Sequence, residues 1–214
     1  MRRRWKIAQK AELKWWKNYL GKHESTEYLQ WKKSYWIDFL NKIAVHPKKD
    51  DICLDAGCGP AGINIVLGNT SFTCVDPLLN SYREQFNAHT VQNEKHQFRQ
   101  QHLEDLKETA HYDLIFCLNV INHVSDWKLA GQNLWNALKP GGTLVLSTDV
   151  HRIPWLKYPF RLFQWDILHP QQHSESDYLH WFKSAFRESA LVRNNTLKKT
   201  GFFRYQVFVL KKEN

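Results

Sequence analysis

Several things are missing from this chain of 214 residues, and each absence removes a class of protein. No uncharged stretch approaches the ~20 apolar residues needed to cross a bilayer. No apolar run follows the basic start Met1-Arg2-Arg3-Arg4, so that start does not read as a secretory signal. The cysteines Cys53, Cys58, Cys74 and Cys117 lack C-x-x-C spacing and lie in or beside apolar strand-like runs, which argues against a zinc knuckle or a disulfide framework. A reducing compartment suits them, and the chain reads as cytoplasmic. Internal repeats and low-complexity tracts are lacking too.

What is present is ordinary in bulk and uneven in placement. Hydrophobic residues make up 43% and charged residues 24%, which describes one large domain, or a domain with a small appendage, rather than a disordered chain. Ten Trp, several in the first forty residues, suggest a helical layer or pocket built from large rings. The formal charge of +9 favours an anionic partner: nucleic acid, an anionic lipid surface or an acidic metabolite. Much of the excess lies early, in Lys6, Lys10, Lys14, Lys17 and Lys22 after the three arginines, and recurs at Lys198, Lys199, Lys211 and Lys212.

Tyr28, Trp31, Tyr35, Phe39 and Ile43 repeat at three- and four-residue spacing and predict a helix over about residues 25 to 45. Ahead of it, Ala8, Ala11, Trp15 and Tyr19 form a weaker stripe opposite a lysine-lined face, with Gly21 as the stop. From Asp51 onward the pattern becomes strand, turn, helix-compatible segment, repeated. Strands are expected at Ile52 to Leu54, Phe72 to Val75, near Gln97 to Gln100, at Tyr112 to Asn119 and at Thr143 to Thr148. A helix from Trp127 to Ala137 stops at Lys139-Pro140-Gly141-Gly142. Residues 150 to 173 read as a long excursion. Ser174-Glu175-Ser176-Asp177 has the form of a capping box opening another helix, and a hairpin ends the chain.

The turn Asp55-Ala56-Gly57-Cys58-Gly59-Pro60-Ala61-Gly62 lets a ligand approach the backbone after the first strand. Its glycine spacing also satisfies the dinucleotide fingerprint, so alone it serves a nicotinamide cofactor or S-adenosylmethionine equally. Asp76, ending the second strand, is placed to accept both ribose hydroxyls of either. Asp55 separates the two, because it can face a methionine ammonium but would repel a pyrophosphate.

Together with Val75-Asp76-Pro77, the run Tyr112 to Val124 and the turn Leu138 to Leu144, this segment resembles the class I S-adenosylmethionine-dependent methyltransferases, in particular the type 11 small-molecule group, over about residues 50 to 149. The resemblance implies a three-layer, Rossmann-like α/β fold: a seven-stranded, mostly parallel sheet with a C-terminal antiparallel hairpin and an N-terminal helical cap. It divides the chain into a cap at 1–47 and a methyltransferase domain at 48–214. It also implies a cofactor set of Asp55, Gly57, Cys58, Gly59, Asp76, Pro77, Leu103, Asn119 and Val120. His102 stands where the family has its adenine-contacting Asp, and Asn122 where an acid is usual.

The acceptor would lie beyond strands four and five. Of the polar residues there, His123 is the expected general base, with Asp149 and His151 beside it as further catalytic candidates. Tyr19, Tyr28, Trp31, Tyr35, Asn122 and His169 are the expected substrate contacts. Asp149, His151, His169 and His173 also have metal-donor chemistry, but read as pocket residues. The expected function is methylation of oxygen, nitrogen or carbon on a small or lipid-like acceptor, with the basic first helix open to anionic lipid or RNA. An RNA methyltransferase, a nicotinamide oxidoreductase and a catalytically silent partner-binding subunit are the competing readings. No Asn-Pro-Pro-Tyr-like base-methylating motif follows strand four.

Overall fold

Seven strands form the sheet: β1 (Ile52–Ala56), β2 (Ser71–Val75), β3 (His96–Arg99), β4 (Tyr112–Leu118), β5 (Leu138–His151), β6 (Leu191–Thr200) and β7 (Phe203–Lys211). The structure, a computed structural model, describes residues 2–22, 25–86, 95–156, 158, 170–187 and 190–214. The strands run in the order β3-β2-β1-β4-β5-β7-β6. Pairs within β3-β2-β1-β4-β5 are parallel, while β7 is antiparallel to β5 and to β6. Strand order reverses between β1 and β4, which opens a crevice beyond their carboxyl ends. β4 is the most apolar strand because both of its faces are covered: Tyr112, Leu114, Ile115, Phe116 and Cys117 are all buried.

The helices are α1 (Arg2–Leu20), α2 (Ser25–Ile43), α3 (Leu79–Phe86), α4 (Trp127–Ala137) and α5 (Glu175–Phe186). On one face of the sheet, Trp127 and Leu134 of α4 and Trp181, Phe182 and Phe186 of α5 share a core with Leu54, Ile115, Leu144 and Phe208. On the other, Trp36, Phe39, Leu40 and Ile43 of α2 pack with Cys53, Phe72, Leu114, Phe116 and Val207. Full burial of Phe39 or Ile43 contributes roughly 1.5–3 kcal/mol each. α2 is therefore a layer of the sheet domain, and the expected boundary at residue 47 does not coincide with a break in packing. α1 packs on α3, with Trp16 edge-on to Tyr82 at 6.3 Å.

Local chemistry explains several boundaries. Asp126 caps α4 by accepting from the Lys128 and Leu129 N–H groups, each at 3.1 Å. Asp177 reaches back to the Ser174 N–H at 2.8 Å, the return half of the expected capping box. Two elements differ from expectation. Gly62 is followed not by an α-helix but by a single 3-10 turn, Ile63–Val66, because α2 already packs over that part of the sheet. The Lys139 to Gly142 turn is drawn into β5: Leu138 pairs with Tyr112, and Gly141 and Gly142 exchange hydrogen bonds with Lys212. Among the described residues, no helix is long and apolar enough to cross a membrane.

Candidate active site

The crevice is a cavity of about 480 Å³, floored by the ends of β1, β2 and β4 and roofed by α1 and α2. Its floor begins at the glycine turn. Gly57 and Gly59 have φ of 78° and 56°, and the Gly57 and Cys58 N–H groups both donate to the Val75 carbonyl, at 2.7 and 3.1 Å. That tie holds the turn against the end of β2. A Cβ on Gly59 would meet nothing within 4 Å, so at this point bare backbone faces open cavity.

Asp76 stands at the next strand end and is nearly buried. Its carboxylate accepts from the Gly59 N–H at 3.0 Å and the Leu78 N–H at 2.8 Å. Burial pushes it up to about 6, against the pull of those two donors. Pro77 and Leu103 line the cavity beside it, and so does His102, whose ring meets Trp5 edge-on at 5.0 Å. Glu104 fixes this stretch to the start of α4 by accepting from the Ser125 N–H and hydroxyl, each at 2.7 Å.

At the end of β4, Asn119 adopts φ 58°, and Val120 and His123 follow it along the cavity wall. The Asn119 side-chain oxygen is buried and accepts no hydrogen bond among the described residues. Asp149 and Tyr205 complete the far wall, the Tyr205 hydroxyl lying 2.6 Å from Ser147 Oγ. From the roof, Tyr19, Tyr28, Trp31 and Tyr35 all reach the cavity. Trp15 stacks on Tyr19 at 5.1 Å and Trp31 on Tyr35 at 5.8 Å, so this side of the cavity is walled by ring faces.

Three expected site residues fall elsewhere, and a fourth lies outside the described residues. Asp55 lies beneath the turn, where it accepts from the Asn64 N–H at 3.3 Å and burial pushes it up to about 7. A Cβ on Gly62 would sit 2.1 Å from its carboxylate, so the third glycine of the turn makes room for Asp55 rather than for a ligand. His151 is buried against Phe203 and lies 2.6 Å from the Gln172 side-chain oxygen, covered by the segment entering α5. Asn122 is buried in the turn after β4, its carbonyl accepting from the Gln171 N–H at 3.1 Å. None of these three lines the cavity. His169 lies outside the described residues.

Glu12 and Lys32 are among the cavity residues that sequence reasoning missed. Glu12 Oε2 lies 3.6 Å from His123 Nδ1, so the helical roof brings a carboxyl to the expected base. Burial, reinforced by the negative charge of Asp76, pushes it up to about 8. The signal was the seven-residue spacing of Trp5, Glu12 and Tyr19, which places an acid on the inward face of an otherwise basic helix. Lys32 follows Tyr28 by one turn and reaches the cavity beside the aromatic stripe of α2.

A parallel sheet with its switch point between β1 and β4, a glycine turn there and an acid ending β2 define a Rossmann-like nucleotide-cofactor class. Within that class, the chain belongs to the methyltransferase-domain family, whose model it matches over residues 27–191. A ubiquinone biosynthesis O-methyltransferase from Rickettsia bellii is 28% identical over 148 residues, which cover 62% of this chain and 62% of the relative. The chain thus spans about three-fifths of the length of the curated relatives it first matches. Among solved structures, the YcgJ protein of Bacillus subtilis aligns with a TM-score of 0.62 at 14% identity, covering 85% of this chain and 99% of that one. Geranyl diphosphate C-methyltransferase from Streptomyces coelicolor A3(2) aligns at 0.61 and 16% identity, covering 84% and 79%. At these identities the structural likeness concerns the fold.

The cavity fits S-adenosylmethionine, the cofactor of this family. The open backbone at Gly59 admits a close ligand, Asp76 sets a carboxyl beside it, and the Asn119 oxygen, which accepts no hydrogen bond among the described residues, suits a donor such as an ammonium.

Proposed function

We propose that the chain transfers a methyl group from S-adenosylmethionine to a hydroxyl of a small, flat acceptor, with His123 receiving the proton. The observation that carries this reading is that one cavity holds both the cofactor-type floor (Gly57, Gly59, Asp76, Asn119) and a ring-walled compartment containing His123 and Asp149. Oxygen as the acceptor atom is supported by the O-methyltransferase names of the sequence relatives, and a flat apolar acceptor by the stacked Trp15–Tyr19 and Trp31–Tyr35 walls. Four free, buried cysteines suit a cytoplasmic setting.

When bound, the cofactor supplies an electrophilic methyl carbon on a sulfonium. The residues of this chain do the rest. The turn from Gly57 to Gly59, with Asp76, orients the nucleoside, and Asn119 holds the amino end. The aromatic roof excludes water and aligns the acceptor for in-line displacement. His123 takes up the hydroxyl proton in that displacement, as the methyl carbon leaves sulfur for oxygen, and the Glu12 carboxyl, 3.6 Å from His123 Nδ1, orients the imidazole.

Thermal unfolding with added S-adenosylhomocysteine or NAD tests the cofactor assignment. A ligand at 100 times its Kd stabilises the native state by about 2.7 kcal/mol. Stabilisation by S-adenosylhomocysteine alone is expected; stabilisation by NAD alone would return the glycine turn to the dinucleotide reading.

A further inference from the structure

Lys32 projects from the middle of α2 into the cavity, where its surroundings are aromatic rather than acidic. Its ammonium lies 4.4 Å from the centre of the Trp36 ring and 5.1 Å from that of Tyr35, with Trp31 at 5.7 Å. The Trp36 indole N–H is committed to the Ala61 carbonyl at 3.1 Å, which pins this part of α2 to the glycine turn. The ammonium therefore has a fixed anchor beside the glycine turn. Among the described residues no carboxylate or carbonyl accepts a hydrogen bond from it. Burial drives it down to about 8, with the distant field of Asp55 pulling the other way.

Ring faces offset part of the cost of burying a cation, but they leave its three N–H donors unused. An entering anion would gain a charge-assisted hydrogen bond in a site where water competes poorly. The rest of the lining limits which anion. Glu12, Asp76, Glu104 and Asp149 face the same cavity, so a polyanion such as a nucleic-acid backbone meets four acids and one lysine. A single carboxylate matches a single ammonium.

We propose that Lys32 is the carboxylate-binding residue of this cavity, with its platform of Tyr35 and Trp36 holding the ammonium ready. This rests on the cavity being the site of methyl transfer. Two bound molecules can bring the carboxylate: the cofactor, through its amino-acid end, or the acceptor.

Calorimetric titration of the full chain and of Lys32→Gln and Lys32→Arg separates the sources. S-adenosylhomocysteine carries the carboxylate, and 5′-methylthioadenosine keeps the nucleoside without it. If the cofactor is the source, Lys32→Gln weakens S-adenosylhomocysteine at least tenfold, leaves methylthioadenosine within twofold, and Lys32→Arg restores most of the loss. If the acceptor is the source, both nucleosides bind Lys32→Gln normally. Benzoate binding to the S-adenosylhomocysteine-saturated protein then falls at least tenfold, while neutral benzamide is unaffected. Equal weakening of both nucleosides would reduce Lys32 to a structural role, and unchanged binding of both S-adenosylhomocysteine and benzoate would overturn the proposal outright. Wild-type protein that binds neither nucleoside sinks the methyl-transfer reading instead. Benzoate against benzamide, titrated without nucleoside, then still decides Lys32.

Discussion

Gly57→Ala puts a number on how tightly the cofactor floor is built. An alanine at φ 78° adopts a left-handed conformation that costs about 1–2 kcal/mol. Its Cβ would lie 2.3 and 2.5 Å from the two Val120 methyl carbons, about an ångström inside ordinary contact, and relieving such overpacking costs about 1–3 kcal/mol. The sum, about 2–5 kcal/mol, is a large share of the ~5–15 kcal/mol stability of a typical domain. Val120→Ala removes the two methyls but leaves the Val120 Cβ, 2.9 Å from the added carbon, and the backbone strain. The double variant should therefore be less destabilised than the sum of the singles by up to about 1–3 kcal/mol, retaining the 1–2 kcal/mol of strain and the residual contact. Urea unfolding of the wild type, both singles and the double measures the cycle. S-adenosylhomocysteine titration should show weaker binding by Gly57→Ala, because the clash displaces the floor itself. Singles that add to the double within about 0.5 kcal/mol would refute the claim that Val120 walls the turn.

Gly131 poses the opposite conflict: alanine would gain about 1 kcal/mol of helix propensity in α4, but its Cβ would lie 2.3 Å from the Trp181 ring. Gly131→Ala should lower the unfolding midpoint in the wild type and raise it in a Trp181→Phe background. Glu12, Asp55 and Asp76 are raised to about 8, 7 and 6 in the native state, so between about pH 4 and 8 the folded chain holds protons that the unfolded chain has shed. By linkage, stability falls as pH rises through that window; urea midpoints equal at pH 5.5 and 8.5 would contradict this, and Glu12→Gln should flatten the upper part of the profile. His123→Ala should lower turnover more than tenfold with S-adenosylhomocysteine affinity intact, whereas Glu12→Gln should shift the pH profile of kcat; a kcat profile identical to wild type would remove Glu12 from proton handling.

The sheet was legible because its determinants are local. β4 announced itself by continuous apolarity, α5 by Ser174 and Asp177, and α4 by the periodicity of Trp127 to Ala137. The site was legible where backbone geometry demands a residue type, as at Gly57 and Gly59, or where a strand end places one, as at Asp76 and Asn119. It failed where tertiary packing decides. The depth of Asp55 depends on how Gly62 and Asn64 fold back over it, and His151, only two residues from the cavity-lining Asp149, is covered by Gln172 from a segment distant in sequence. Glu12 acquires meaning only when α1 meets His123, more than a hundred residues later. The short turn after Gly62 was misread because nothing local shows that α2 already occupies the space a helix would need.

That placement of α2 has a consequence for how the protein comes into being. The layer over β1 and β2 is synthesised before the strands it covers, and its core partners run as far along the chain as Val207, with Arg193 of β6 donating to the Ile43 carbonyl at the end of α2. During translation the stripe of Trp36, Phe39, Leu40 and Ile43 has nothing to dock on. Its burial waits for contacts among the longest in sequence separation that the chain makes, which ties completion of this layer to the slow, high-contact-order end of folding. Part of this apolar face thus stays uncovered until the chain around Val207 has been made.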